Sequence, residues 1–193
     1  MINFNLKELV IAIVIAVILS IMLIVIFKIN TVRDIVILAL LMAYLILMVD
    51  KTQFPIFSEN LIMREELGGI KLGRDINLIP FKDALHMTSL LNVAMFVPIG
   101  FLLGMIKGKK WKSITVIGLI ISFLVESGQL LTNVFIGYNF RTADVNDLIF
   151  NTVGTVVGLL IYAFVVEAVD KIFGKNNESN KSLLKNILVS DRN

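Results

Sequence analysis

Leu9–Phe27 is a run of 19 residues in which Ser20 is the only polar side chain. As a helix it would rise about 28 Å, close to the hydrocarbon thickness of a bilayer. Four further apolar runs follow it: Ile35–Val49, Ala84–Ile106, Ser113–Leu131 and Leu148–Val166. Of all 193 residues, 57% are hydrophobic and only 17% are charged, against roughly 45–50% and about 25% in ordinary soluble domains. A water-soluble unit of this size could not hide that surplus without large exposed patches. The expected fold is therefore all-α, a polytopic transmembrane helix bundle of about five spans forming a single membrane domain over residues 1–170.

The individual runs carry their own signals. The first is too long for a secretory leader core and no small-residue cleavage site follows it, so it reads as a retained anchor. The second is short, about 22 Å of helix, and Arg33 and Lys51 are expected to snorkel at its ends. Residues 171–193 turn polar, with Gly174-Lys175-Asn176-Asn177-Glu178-Ser179-Asn180-Lys181 near their start. That composition cannot bury a core, and a mobile cytoplasmic tail is expected.

Charge sets the expected orientation. With five spans, Lys28, Arg33, the patch Lys107, Lys109, Lys110 and Lys112, and the five cations of the tail fall on one side. The other side holds Lys7, Arg141 and the five cations of the 50–83 loop. The dense lysine patch places its own side in the cytoplasm and the N-terminus outside. The net charge of +3 thus serves topology and implies no nucleic-acid partner. With no Cys and one His there is no disulfide framework, thiolate metal site, cysteine nucleophile or multi-histidine site within the chain.

The polar residues inside the spans gather at one end. His86 and Asn92 lie at the outer end of the third span, Glu126 and Gln129 in the outer half of the fourth, and Asp144, Asp147 and Asn151 at the start of the fifth. Flipping the protein would move the whole group together. Ser122, Glu126 and Gln129 recur at i, i+4, i+7, and Asp147, Asn151, Gly154 and Gly158 at i, i+4, i+7, i+11, so each set shares a helix face. Asp144 joins the second set if that helix starts early enough. A carboxylate at the middle of a span costs at least about 2.5–3.5 kcal/mol when it faces lipid, so both stripes should point into the bundle and at each other. Asn92 and Arg141 are the further partners expected there.

Plainer explanations cover several of these features. Gly100-xxx-Gly104 and Gly154-xxx-Gly158 read as close helix packing, Pro98 as a kink, His86 as a solvated interfacial residue and Lys107–Lys112 as a topology signal. Glu126 stands apart, because an ionisable residue well inside a span is a functional-site hypothesis by default. A buried Glu126–Arg141 pair of purely structural value is the bland alternative. Glu126, Asp144 and Asp147 against Arg141 could bind a divalent cation through oxygen ligands, hold a basic group, or keep one carboxyl protonated for acid–base work. Metal and cofactor are left open. No phosphate-cradling Gly-x-x-x-x-Gly-Lys run occurs.

Four blocks in order carry a resemblance: Asn77-Leu78-Ile79-Pro80-Phe81; Asn92 with Phe96-Val97-Pro98-Ile99-Gly100; Ser122, Glu126 and Gln129; and Arg141, Asp144, Asp147, Asn151 and Gly154. Over about residues 74–160 the chain resembles the VanZ-like family; the first two spans and the tail are not diagnostic. Asn146 departs from the pattern, standing where members often have an acid, which weakens a metal reading. The resemblance implies a small bacterial multi-span membrane protein, in a family whose founding member is associated with resistance to teicoplanin.

The expectation is thus a VanZ-like protein of the cell membrane acting at its outer face and lowering glycopeptide susceptibility. Catalytic candidates are Glu126, Asp144 and Asp147. Binding candidates are Asn77, Asn92, Gln129, Arg141 and Asn151. Membrane lipids are the expected partners, together with a lipid-linked cell-wall precursor or a glycopeptide. Two alternatives stay open: a membrane-embedded enzyme modifying such a precursor or a phospholipid, and a non-catalytic partner protein using the 50–83 loop as its contact surface.

Overall fold

The computed structural model describes residues 31–53, 76–81, 87–106, 110–136 and 142–173, with the isolated positions Ile21, Ile24 and Ile29. Most of the first apolar run, most of the 50–83 loop, His86, Lys107–Lys109, Arg141 and the tail beyond Phe173 lie outside these residues. Among the described residues there are four helices: α1 (Val32–Gln53), α2 (Met87–Met105), α3 (Trp111–Ile136) and α4 (Val145–Phe173). Two short strands, β1 (Ile76–Asn77) and β2 (Ala143–Asp144), pair in parallel, with Ile76 opposite Ala143 and Asn77 opposite Asp144.

All four helices are long and apolar enough to cross a membrane. Their surfaces agree. Val36, Leu40, Leu90, Leu91, Val116, Ile120, Phe123, Leu124, Leu160, Phe164 and Val165 are all exposed, which only a hydrocarbon solvent makes favourable. The chain is a membrane protein built as a bundle of transmembrane helices.

Three of the expected spans grow at their ends. The second becomes the 22-residue α1, taking in Arg33, Asp34, Asp50 and Lys51. Thr31 starts it, its Oγ1 accepting the Asp34 amide at 3.2 Å in the manner of an N-cap. Arg33 does not simply reach for water: its guanidinium donates to the Met105 carbonyl at 2.9 Å and pairs with Asp34. The end of α2 is thereby satisfied by a cation from α1, where the helix dipole favours one. The fourth span extends to Ile136, and the fifth runs from Val145 to Phe173, turning Lys171 helical and pairing it with Glu167 at 2.8 Å.

Contacts along the helices fix their directions. Arg33 meets Met105 and Tyr44 donates to the Met95 carbonyl at 2.6 Å, so α1 runs antiparallel to α2. Along α2 and α4, Asn92 meets Asp147 and Gly104 faces Leu159 and Tyr162, so these two run parallel. α3 is antiparallel to α4, with Ser122 beside Asn151. β1 and β2 pair at the end of the bundle where α2 and α4 begin, and their parallel sense follows from that.

Among the described residues, α2 and α4 make the most intimate helix contact. A methyl group on Gly100 would strike the Thr155 carbonyl, one on Gly154 the Val93 carbonyl, and one on Gly158 the Val97 carbonyl. Gly100, Gly154 and Gly158 therefore let backbone touch backbone, as close transmembrane packing requires, while Gly104 makes room for the Leu159 and Tyr162 side chains. Thr155, fully buried, also fills the space beside Gly118 of α3, joining three helices at one point. Above and below it, Phe96, Ile99, Leu103, Ile114 and Leu159 form the apolar core, with Leu38 and Leu41 entering from α1.

Candidate functional site

The polar residues of the spans converge where α2 and α4 begin and α3 ends. On α3, Ser122, Glu126, Gln129 and Asn133 are all buried, and their i, i+4, i+7, i+11 spacing makes one continuous inward stripe. On α4 the matching stripe is Asp147, Asn151 and Thr155, the last two buried. The stripes face each other. Asn151 Nδ2 donates to Ser122 Oγ at 3.0 Å, and one turn nearer the end the Asp144 amide points to Glu126 Oε2 at 3.4 Å.

Asp144 does not extend the α4 stripe. It precedes the helix, within β2, and its Oδ1 accepts the Asn146 amide at 2.8 Å, which is the geometry of an Asp N-cap. The same oxygen accepts Asn77 Nδ2 at 3.0 Å, so one carboxylate ties β1 to the start of α4. A carboxylate at this place also meets the positive end of the helix dipole. Asp147, in the first turn, accepts Asn92 Nδ2 from α2 at 2.6 Å. Asn77, Asn92 and Asn151 thus each tether one element to another through a side-chain amide.

Asn146 is a residue whose role is not legible in the chain. It is buried, and its Oδ1 accepts the Phe81 amide at 2.6 Å. Phe81 has φ 62°, a left-handed conformation that a bulky residue adopts at a cost of about 1–2 kcal/mol, and the Asn146 bond holds it there. The side chain that replaces an acid in the family pattern therefore serves the backbone of the Leu78–Phe81 turn. Asn133 and Thr155 also join the cluster without having stood out in the sequence. For Asn133 a signal exists, since it continues the α3 stripe by one turn.

Of the expected set, Asn77, Asn92, Glu126, Asp144, Asp147 and Asn151 are linked by these contacts, and Gln129 is buried on the Glu126 face. Arg141 and His86 lie outside the described residues. Among the described residues, no three Asp, Glu or His side chains come together as a metal-ligand set. Buried carboxylate and amide groups instead dominate, and they support acid–base chemistry or hydrogen-bonded recognition. The Oδ1 of Asn151 is buried without a hydrogen-bond donor among the described residues. An orphaned buried acceptor costs roughly 1–3 kcal/mol, so this position is ready for an added donor.

A family model described as VanZ/LLP1 matches residues 35–166. The match begins within α1, so it extends well before the blocks that are diagnostic by eye. No curated protein matches the chain, and no solved structure does. The match spans α1 to α4 with both strands and includes every contact of the polar cluster; the chain belongs to the VanZ/LLP1 family.

Proposed function

We propose that this protein works at the outer face of the bacterial cell membrane, where the polar cluster engages a lipid-linked cell-wall precursor or glycopeptide and lowers susceptibility to teicoplanin. The observation that carries the reading is the facing of two buried polar stripes, Ser122–Asn133 on α3 and Asp147–Thr155 on α4, at one end of the bundle. Such a group is costly inside a membrane and is ordinarily retained for function. Orientation rests on the lysine-rich connection between α2 and α3, which lies at the opposite end. Family membership supports the phenotype class.

Expression in a Gram-positive host tests this. The teicoplanin inhibitory concentration should rise, while that of an agent acting in the cytoplasm should not. An unchanged value in cells with abundant inserted protein would reject the reading. Single cysteines in this Cys-free chain check the orientation. In intact cells an impermeant thiol reagent should label position 142, exposed before β2, and spare position 110; the reverse would place the cluster inside.

A second reading, an enzyme acting on a lipid-borne substrate, is favoured by the placement of Glu126. This buried carboxylate lies one turn along α3 from Ser122, whose hydroxyl oxygen accepts the side-chain amide of Asn151, the residue with the orphaned acceptor. In that reading Glu126 is the acid–base group, Asp144 and Asp147 orient the substrate through their amide partners, and Arg141 clamps an anionic group. Turnover lost in Glu126→Gln with substrate binding retained would distinguish catalysis from recognition.

A further inference from the structure

The segment between β1 and α2 combines two properties that belong together only in a bilayer. Its side chains are apolar and open: Leu78 is 75% exposed, Ile79 58% and Phe81 67%. Its amide groups are nevertheless satisfied by protein at two positions and absent at a third. The Ile79 amide donates to Asn77 Oδ1 at 3.2 Å, the Phe81 amide to Asn146 Oδ1 at 2.6 Å, and Pro80 has no amide hydrogen. Three of the four positions Leu78–Phe81 thus offer no amide to the surroundings, and β1 before them is paired with β2. In water neither property is needed. In hydrocarbon both are favourable, because each amide donor that protein satisfies is one that lipid need not solvate.

From this we infer that Leu78–Phe81 is immersed in the leaflet on the side of the polar cluster, with Leu78, Ile79 and Phe81 in contact with lipid acyl chains. At the start of α2, Met87, Leu90 and Leu91 are exposed apolar residues as well. Phe81 is held in its left-handed conformation by Asn146, so the backbone of the turn is fixed by α4. Asn77 and Asp144 sit directly behind this apolar lip. A ligand reaching those two residues past the lip comes from within the leaflet, which selects an amphiphile over a dissolved solute. That consequence deepens the function proposed above, whereas the immersion of the turn stands without it.

The single Trp of the chain, Trp111, makes depth measurable. In a Trp111→Phe background, Phe81→Trp and Leu78→Trp are reconstituted separately into phosphatidylcholine vesicles, with Leu124→Trp as the lipid-facing reference. Quenching by phosphatidylcholine brominated near the headgroup end of its acyl chains is compared with quenching by aqueous acrylamide. Both turn variants should be quenched by the brominated lipid about as strongly as the reference and only weakly by acrylamide. Acrylamide quenching without lipid quenching would place the turn in water, and resistance to both would place it under protein; either overturns the inference. If Phe81→Trp fails to fold, Leu78→Trp decides alone, since Leu78 carries no positive φ. If neither Trp variant is recovered, a spin label on Ile79→Cys measures the same immersion. More collisions with oxygen than with a water-soluble nickel chelate support it, and any other ranking rejects it.

Discussion

α4 meets its two neighbours in opposite ways. Toward α2 it presents Gly154 and Gly158, and at these positions it comes against the backbone of α2 at Val93 and Val97. Toward α3 it presents Asn151 and Thr155, and the contact is made by polar side chains buried in an otherwise apolar bundle. The first interface fixes distance, because no smaller residue exists and no larger one fits. The second fixes chemistry, because each polar group there needs a partner that the bilayer cannot supply. Holding α2 tightly against α4 is also what brings Asn92 to Asp147. The glycine contact is thus the frame on which the polar cluster hangs.

If that division is right, the two interfaces should fail differently. The largest effect is expected from Gly158→Leu or Gly100→Leu, where the new side chain meets a backbone carbonyl that cannot rotate away. Overpacking ordinarily costs about 1–3 kcal/mol and more where backbone must move, so the folded protein should be largely lost. Detergent-solubilised yield and thermal unfolding followed by size-exclusion chromatography would show it. Normal yield and an unchanged melting temperature would mean that the helices are not in backbone contact.

A smaller effect is expected within the cluster. Asn92→Leu removes the amide that Asp147 accepts at 2.6 Å, and a hydrogen bond to a charged group contributes roughly 1.5–3 kcal/mol. The protein should still insert, with a melting temperature lowered by a few degrees. Asp147→Asn in the same background should recover part of the loss, since it removes the charge that the Asn92 amide faces in the parent chain. A double variant less stable than Asn92→Leu would show that the pair is not coupled as described.

The smallest effect separates the cluster from an ordinary interhelical bond. Tyr44→Phe removes the hydroxyl that donates to Met95, away from the cluster and between α1 and α2. Interhelical hydrogen bonds in membranes average about 0.6 kcal/mol. Melting should shift marginally and teicoplanin susceptibility should not change. A lost phenotype at normal abundance would extend the working region to α1.

Most of the helical architecture is legible in the chain because lipid sets a stringent length and composition, and the runs Ala84–Ile106 and Ser113–Leu131 already stand near the limits of α2 and α3. The stripes are legible for the same reason, as Glu126 and Asn151 cannot face hydrocarbon cheaply. What escapes a reading of the chain comes from contacts between distant segments. Asp144 has the same composition signal whether it lies on the α4 stripe or before it, and only the pairing of β1 with β2 decides. Two-residue strands leave no periodicity to detect. Asn146 reads as a lost acid; its use as an acceptor for Phe81 depends on a turn 65 positions away.

Glu126→Gln tests the central claim most directly, because it keeps the shape of the buried side chain while removing its charge and proton exchange. The measurement is the teicoplanin inhibitory concentration per unit of inserted protein, set beside the parent chain in one host. A normal amount of folded protein with the protection abolished is the predicted result. Full protection at normal abundance would contradict the account, and would leave the polar cluster as a structural feature of the bundle alone.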